Sequence, residues 1–256
     1  MHTSQIAAQL YTLRDKMTTP AEVREALHRL KQIGFAAVEP TGMPEPLEAA
    51  LIDGLNETGL TVCAVHYGVD QILSNPDGVW ERLNRLDCQY VVMPYPANIP
   101  MTTRAEVDAF AAGLAASGNR LAAVGKTLLY HHHDLEWAHV EGEPIFTRIL
   151  AQTSPAALGI EADTYWLQLG GICPAAFLTV YAGRVPVIHL KDLVVTGINA
   201  HTTGEIGAGN LDWSGIIATA EQTGVKWFVI EQDHTPGDPL ESLARSYAYV
   251  TERFCK

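Results

Sequence analysis

Short runs of apolar residues recur along the chain at a regular spacing, and most of them end in a polar residue. A short, nearly continuous run of β-branched, aliphatic and aromatic residues is typical of a strand buried on both faces, as in a parallel sheet covered by helices. The runs therefore predict strands at Ile6–Leu10, Ala36–Glu39, Leu60–His66, Tyr90–Tyr95, Thr127–His131, Leu158–Glu161, Val185–His189 and Trp227–Glu231.

Amphipathic segments lie between these runs. Several begin with proline, whose missing N–H costs nothing in the first turn of a helix, and several end next to a glycine, which favours helix termination. Their apolar residues recur at helical spacing, as in a helix packed on one side. The predicted helices are Pro20–Ile33, Glu45–Thr58, Pro76–Leu86, Arg104–Val124, Pro144–Gln152, Pro174–Tyr181, Trp213–Gln222 and Pro239–Phe254.

Strands and helices alternate eight times, with a mean repeat of 256/8, or 32, residues. A doubly wound open sheet is the other βα arrangement, but it usually has fewer strands and a glycine-rich first turn. The first strand here is followed by Tyr11-Thr12-Leu13-Arg14. No linker or shift in composition marks a domain boundary. We therefore predict an α/β fold, a (β/α)8 TIM barrel that forms a single domain over residues 1–256.

Ionisable residues gather where the predicted strands end. A barrel brings all these ends to one face, where its active site is built. One acid or histidine at a strand end is more often a loop cap or a hydrogen-bonded group. So many carboxylates together, however, raise one another's pKa unless a cation offsets them, which predicts a divalent metal ion in the barrel mouth. The residues concerned are Glu39, His66, Tyr95, His131–Glu136, Glu161–Asp163, His189–Asp192 and Glu231–Asp233.

Asp163, His189 and Glu231 form a mixed oxygen and nitrogen ligand set. Such a set suits Mn²⁺, Co²⁺, Fe²⁺, Zn²⁺ or Mg²⁺, and it lacks the thiolates of a structural zinc site. A fourth ligand is expected from the segment that follows the fifth strand.

The candidates for that fourth ligand are Glu136, His131 and His133. Alternate residues of a strand face opposite sides, so only His131 and His133 can point into the barrel together. His132 is then expected to turn toward the helices.

The charge and the cysteines narrow the classes of partner and location. A net charge of −12 argues against nucleic acid and against anionic membranes as partners. The four cysteines lie far apart, which favours a reducing, cytoplasmic location over a disulfide framework. No signal peptide and no apolar stretch of membrane-spanning length is evident in the sequence.

Five strings in order along the chain resemble those of the sugar phosphate isomerase/epimerase group, in the xylose-isomerase-like TIM barrel superfamily. They are Tyr130-His-His-His-Asp-Leu-Glu136, Asp163-Thr-Tyr-Trp166 with Gly170-Gly171, His189-Leu-Lys-Asp192, Gly207-Ala-Gly-Asn-Leu-Asp-Trp213 and Glu231-Gln-Asp233. The resemblance implies one divalent metal ion, often Mn²⁺, held by Glu, Asp, His and Glu. Asp163, His189 and Glu231 match the last three positions, and Glu136 is the nearest acid to the first.

The chain departs from the ketose 3-epimerases of this group at two positions. In those enzymes a Glu ends strand 5, where this chain has Tyr130 or His131, and a His stands three residues after the strand-6 Asp, where it has Trp166. The His-x-His after strand 5 is closer to inosose dehydratase-like branches.

The resemblance implies a metal-dependent isomerase or epimerase that acts on a small sugar or keto-sugar through an enediolate intermediate. The alternatives are a dehydratase of a keto-inositol or keto-sugar, an apurinic-site nuclease, which the acidic charge disfavours, and a non-catalytic sugar-binding barrel. We expect Glu231 to act as ligand and base and His133, with a pKa near neutrality, as the second proton-transfer group.

Further residues are assigned to substrate contacts. We expect Lys191 either to hold a substrate oxygen or to form a salt bridge with Asp163 or Asp192. Glu39, His66, His131 and Trp166 are expected to contact the substrate, with Tyr95 and Trp166 forming an apolar wall. The glycine-rich segment 204–213 could bind phosphate, but we favour a loop in which Asp212 caps the next helix, and hence a substrate without phosphate. A homo-oligomer is possible on this fold.

Overall fold

The computed structural model describes residues 1–256 and confirms the predicted barrel with alternating strands and helices. Parallel strands form a nearly closed barrel, and the helices lie outside it. The barrel strands are β1 (Ile6–Gln9), β2 (Ala37–Glu39), β3 (Thr61–Val62), β4 (Val65–His66), β5 (Tyr90–Met93), β6 (Thr127–His131), β9 (Gly159–Asp163), β10 (Val187–Leu190) and β13 (Trp227–Ile230). Two antiparallel hairpins, β7 (His139–Val140) with β8 (Glu143–Pro144) and β11 (Asp192–Gly197) with β12 (Ala200–Gly204), lie outside the barrel sheet.

Ten α-helices accompany these strands. They are α1 (Pro20–Ile33), α2 (Glu45–Thr58), α3 (Val69–Ser74), α4 (Pro76–Arg85), α5 (Arg104–Ala123), α6 (Ile145–Ala151), α7 (Thr164–Leu169), α8 (Pro174–Val180), α9 (Trp213–Thr223) and α10 (Pro239–Phe254). Helix α1 shows why the sequence predicts its bounds. Thr19 and Glu22 form a capping box at its start, and Gly34 ends it with φ of 119°, a left-handed conformation that glycine adopts without strain. None of the helices is long and apolar enough to cross a membrane.

The predicted third strand is divided into two segments. Strand β3 pairs with β2, whereas β4 pairs with β5, so the two segments are the two edges of the nine-stranded sheet. Only Cys63 and Ala64 separate them, and the amide of Cys63 still donates to the carbonyl of Val38 at 3.1 Å. The chain therefore closes the barrel by crossing from one edge to the other within a single predicted strand.

An apolar layer fills the barrel interior and carries the polar site above it. This layer is built of small and aliphatic side chains, namely Ala7, Ala37, Cys63, Ala64, Val92, Leu129, Val187 and Val229. Side chains two residues apart in a strand face the same side. The step of two residues therefore directs six polar side chains inward one layer higher, at Gln9, Glu39, His66, His131, His189 and Glu231.

Candidate active site

His189 lies at the centre of the polar layer, with a carboxylate at each of its ring nitrogens. Its Nδ1 is 2.8 Å from Glu231 Oε2, and its Nε2 is 2.6 Å from Glu39 Oε2 and 3.1 Å from Glu161 Oε2. Burial opposes protonation of the ring, but the surrounding carboxylates together raise the pKa of His189 well above its usual value. The residue thus joins two groups of acids that would otherwise repel each other.

Lys191 places an ammonium group among three carboxylates. Its Nζ is 2.7 Å from Glu231 Oε2, 3.0 Å from Asp163 Oδ2 and 3.2 Å from Asp233 Oδ2. Burial disfavours the charge, but these acids raise the pKa of Lys191 well above its usual value. Of the predicted alternatives, the salt bridge with Asp163 is present, and Glu231 and Asp233 complete it.

Asp163, His189 and Glu231 together fit a divalent cation. One ligand atom from each lies within 4.8 Å of the others, and all three side chains are buried. Asp163 Oδ2 is shielded from solvent and forms no hydrogen bond of good geometry, although Lys191 Nζ lies 3.0 Å away. Burial, only partly offset by Lys191, raises the pKa of Asp163 to about 6, which a bound cation would lower again. The three side chains offer the mixed set of oxygen and nitrogen donors that the sequence predicts.

A second group of possible ligands lies beside the first. Glu161 Oε2 is 2.8 Å from His66 Nε2 and 3.0 Å from His131 Nδ1. With His189 these residues again bring one ligand atom each within 4.8 Å. Histidine charges hold the pKa of Glu161 well below its usual range despite burial. The sequence places Glu161 at a strand end but does not assign it to a site.

The structure places Glu136 outside both groups. Its Oε1 accepts a hydrogen bond from the Tyr130 hydroxyl at 2.9 Å, and its Oε2 accepts one from the backbone N–H of His133 at 2.8 Å. Tyr130 points away from the barrel interior, because it packs against Phe146 in the helical layer. The carboxylate after strand β6 is therefore held by its own turn, and His131 is the polar residue of that strand that faces inward above Leu129.

The three consecutive histidines have three different environments. His131 joins the second ligand group, His132 packs between Phe146 and Phe177 as predicted, and His133 lines the cavity above. Burial, with Lys191 nearby, lowers the pKa of His133 to about 4. The expectation of a pKa near neutrality is therefore corrected, because the ring is largely desolvated beside a fixed cation.

A cavity of about 750 Å³ opens above the polar layer. His66, His131 and Trp166, three of the predicted substrate-contact residues, line it, as does Tyr95. Glu39 does not, because it lies below, where Gln9 Nε2 donates to it at 3.0 Å. Hairpin β11–β12 adds His201, Thr202 and Thr203 to the wall, a contribution that the sequence pattern does not predict.

The carboxylate of Asp192, the first residue of β11, lies within the glycine-rich loop that follows β12. Its Oδ2 accepts hydrogen bonds from the amides of Gly207 and Gly209 at 2.8 and 3.0 Å and from Trp213 Nε1 at 2.8 Å. Asp212 caps α9 by accepting from the Gly215 amide, as predicted. The donors that could have cradled a phosphate are thus engaged by a carboxylate of the chain.

Sequence reasoning leaves Gln9, Glu161 and Asp233 without a role in the site. Glu161 could have been found from strand periodicity, because it lies two residues before Asp163 and must share its inward face. Gln9 ends the first strand but is uncharged, and Asp233 lies beyond the last strand, so neither has an equally clear signal.

The fold defines a TIM barrel that carries an acid–histidine layer in its mouth. The model of the xylose isomerase-like TIM barrel family matches residues 27–252, and the chain belongs to this family.

Individual relatives agree with this assignment. An inosose dehydratase of Lacticaseibacillus casei is 26% identical over 168 residues, which are 59% of this chain and 56% of that protein. The chain thus matches little more than half the length of such relatives.

Solved structures show the same fold. A sugar phosphate isomerase/epimerase from Parabacteroides distasonis superposes with a TM-score of 0.81 at 18% identity, covering 97% of this chain and 94% of that one. A probable 3-DHS dehydratase, AsbF, from Bacillus anthracis superposes with a TM-score of 0.75 at 12% identity, covering 97% and 99%.

Proposed function

We propose that this protein is a metal-dependent enzyme that removes a proton beside the carbonyl group of a small keto-polyol and then expels a β-hydroxyl group as water. The observation that carries the proposal is the pair formed by Glu231 and Lys191, 2.7 Å apart, both lining the cavity. A base and an acid on one wall suit an elimination in which the proton and the hydroxyl leave the same face of the substrate. The curated relatives named inosose dehydratase support this choice.

The charges at the pair agree with these roles. Lys191 and His189 outweigh burial and hold the pKa of Glu231 well below its usual range, so the carboxylate is ionised and ready to accept a proton. Lys191 stays protonated, because its carboxylate neighbours raise its pKa. The conjugate acid of a departing hydroxide has a pKa of about 15.7, so the ammonium can still donate to it.

We propose Asp163, His189 and Glu231 as the ligands of a divalent ion, with Mn²⁺ favoured and Mg²⁺, Co²⁺, Zn²⁺ or Fe²⁺ as alternatives. When bound, such an ion supplies a Lewis acid for the substrate carbonyl. The Nε2 of His189 donates to Glu39, and an acceptor of this kind fixes the orientation of a ligating imidazole. Trp166 and Tyr95 supply aromatic walls, and the engaged loop at Asp192 favours a substrate without phosphate.

A second candidate is an isomerase or epimerase that acts through an enediolate. His133 favours it, because this residue follows β6, three positions from β13 in the sheet, and faces the cavity from there. With a pKa of about 4 it is neutral at neutral pH and can accept a proton from another side of the substrate. The cytoplasmic location and a possible homo-oligomer stay predictions.

The experiment is a product analysis with an inosose and a ketose, using protein depleted of metal and then loaded in turn with each of the five divalent ions. Dehydration gives a product lighter by one water, whereas isomerisation leaves the mass unchanged in H₂O and introduces deuterium in D₂O. For the dehydratase, Glu231→Gln abolishes turnover while His133→Asn largely keeps it; for the epimerase, both variants lose it. No turnover of either substrate class with any of the five ions would contradict the proposal.

A further inference from the structure

We infer that His66, His131 and Glu161 form a second divalent-cation site, separate from the site at Asp163, His189 and Glu231 and open to the cavity. The two groups lie in neighbouring parts of the same polar layer. The inference concerns cation binding and does not depend on which reaction the enzyme performs.

The distances around Glu161 are those of hydrogen bonds and ion pairs, and they are close to the separation of neighbouring ligand atoms. Its Oε2 lies 2.8 Å from His66 Nε2 and 3.0 Å from His131 Nδ1. Around a tetrahedral ion with bonds of about 2.0–2.1 Å, neighbouring ligand atoms are about 3.3 Å apart. Glu161 Oε2 therefore needs to move from each histidine nitrogen by only a few tenths of an ångström to admit an ion between them.

Hydrogen bonding leaves atoms of this group unused. Glu161 Oε1 and His131 Nδ1 are both buried, and neither has a hydrogen-bond partner of good geometry. Buried polar atoms are usually satisfied, so these two atoms indicate a partner that the side chains of the group do not supply. Lys191 contacts Asp163, Glu231 and Asp233, so it serves the neighbouring group instead.

The number of ligands and their exposure point to an ion with an open position. Two histidines and one glutamate are a known three-residue ligand set for zinc, with the fourth position left for water or substrate. His66 and His131 both line the cavity, whereas Glu161 lies beneath it. A ligand entering from the cavity would therefore reach the open position directly.

His189 does not have to be shared between the two sites. Its Nδ1 faces Glu231 and Asp163, while its Nε2 is closer to Glu39, at 2.6 Å, than to Glu161, at 3.1 Å. The imidazole can thus donate its Nε2–H to Glu39 and keep Nδ1 for the first site. This division leaves His66, His131 and Glu161 as an independent set.

The test is to load metal-depleted protein with Co²⁺, to measure bound cobalt per chain after dialysis, and to locate it by anomalous diffraction. Three variants remove one ligand of the second site each, His66→Asn, His131→Asn and Glu161→Gln, and Asp163→Asn removes one of the first. His201→Asn is the matched control, because His201 lines the cavity but belongs to neither group. Circular dichroism verifies that each variant is folded.

We expect two cobalt ions in the parent protein and in His201→Asn, and one in each single-site variant, with the peak at Glu161 missing from the first three. One ion that is lost in Asp163→Asn but kept in Glu161→Gln would overturn the second site and leave the proposed function intact. One ion that is lost in Glu161→Gln but kept in Asp163→Asn would support the second site and refute the ligand set of the proposed function. No bound ion would overturn both.

Discussion

Replacement of Lys191 by methionine tests the electrostatic account of the barrel mouth. The ammonium is almost fully buried and offsets Asp163, Glu231 and Asp233 within 3.2 Å. Removal of one partner from a buried ion pair costs about 3–5 kcal/mol, because the other charge is left uncompensated. For a chain of this size each kcal/mol lowers Tm by about 2–4 °C, so metal-depleted Lys191→Met is expected to melt about 6–20 °C lower.

The difference in Tm between the parent protein and Lys191→Met should also depend on pH. In the parent protein the depressed pKa of Glu231 contributes stability above its unfolded pKa, and this contribution is lost as pH falls. In the variant the folded-state pKa values of Asp163 and Glu231 rise, so the variant loses stability as pH rises through them. The difference in Tm should therefore widen from about pH 5 to about pH 8.

Thermal unfolding followed by circular dichroism provides the measurement. Lys226→Met is the matched control, because Lys226 is exposed and forms no salt bridge. Mn²⁺ should raise the Tm of Lys191→Met more than that of the parent, since the ion replaces the missing charge. The reasoning would be refuted if Lys191→Met melted at the same temperature as Lys226→Met and if its Tm difference from the parent were the same at about pH 5 and about pH 8.

Three further predictions follow from single residues. Glu136→Gln should leave metal stoichiometry unchanged, because its carboxylate contacts Tyr130 and a backbone amide; loss of an ion on equilibrium dialysis would contradict this placement. Asp192→Ala should cost at least about 3 kcal/mol in chemical denaturation, since it removes charge-assisted bonds to two loop amides and to Trp213; an unchanged midpoint would count against it. Glu231→Gln should lower kcat about 10²–10⁴-fold in the product assay if Glu231 is the base, and near-parent turnover would rule that role out.

The barrel could be predicted because local signals agree with tertiary packing. Helices α1, α2 and α10 have the predicted bounds, and each starts with proline in its first turn. The crossing at Cys63 and Ala64 has no such signal, because an apolar run looks the same whether it pairs with one neighbour or changes neighbours midway. Hairpin β11–β12 has no such signal either, since polar and apolar residues do not alternate in its two strands, Asp-Leu-Val-Val-Thr-Gly and Ala-His-Thr-Thr-Gly.

The site could be predicted only as far as strand periodicity reaches. His189 and Glu231 lie at or immediately after a strand end, where inward or outward orientation follows from alternation. Glu136 lies five residues beyond His131, and its direction depends on a turn in which the Tyr130 hydroxyl and the His133 amide each donate to one oxygen of the carboxylate. Sequence distance does not indicate these contacts, so the sequence points to the nearest acid in place of a residue within the strand.

The carboxylate of Asp192 in the glycine-rich loop has a consequence for how such a barrel could change its preference for substrates. The carboxylate lies where the phosphate of a ligand would have to lie, so the amides of Gly207 and Gly209 already donate hydrogen bonds before any substrate arrives. If the proposed substrate without phosphate is correct, the selection against phosphate is encoded at a residue next to Lys191 in sequence. A single substitution there would open the loop to an external anion, and divergence between free and phosphorylated substrates would require no change in the barrel strands.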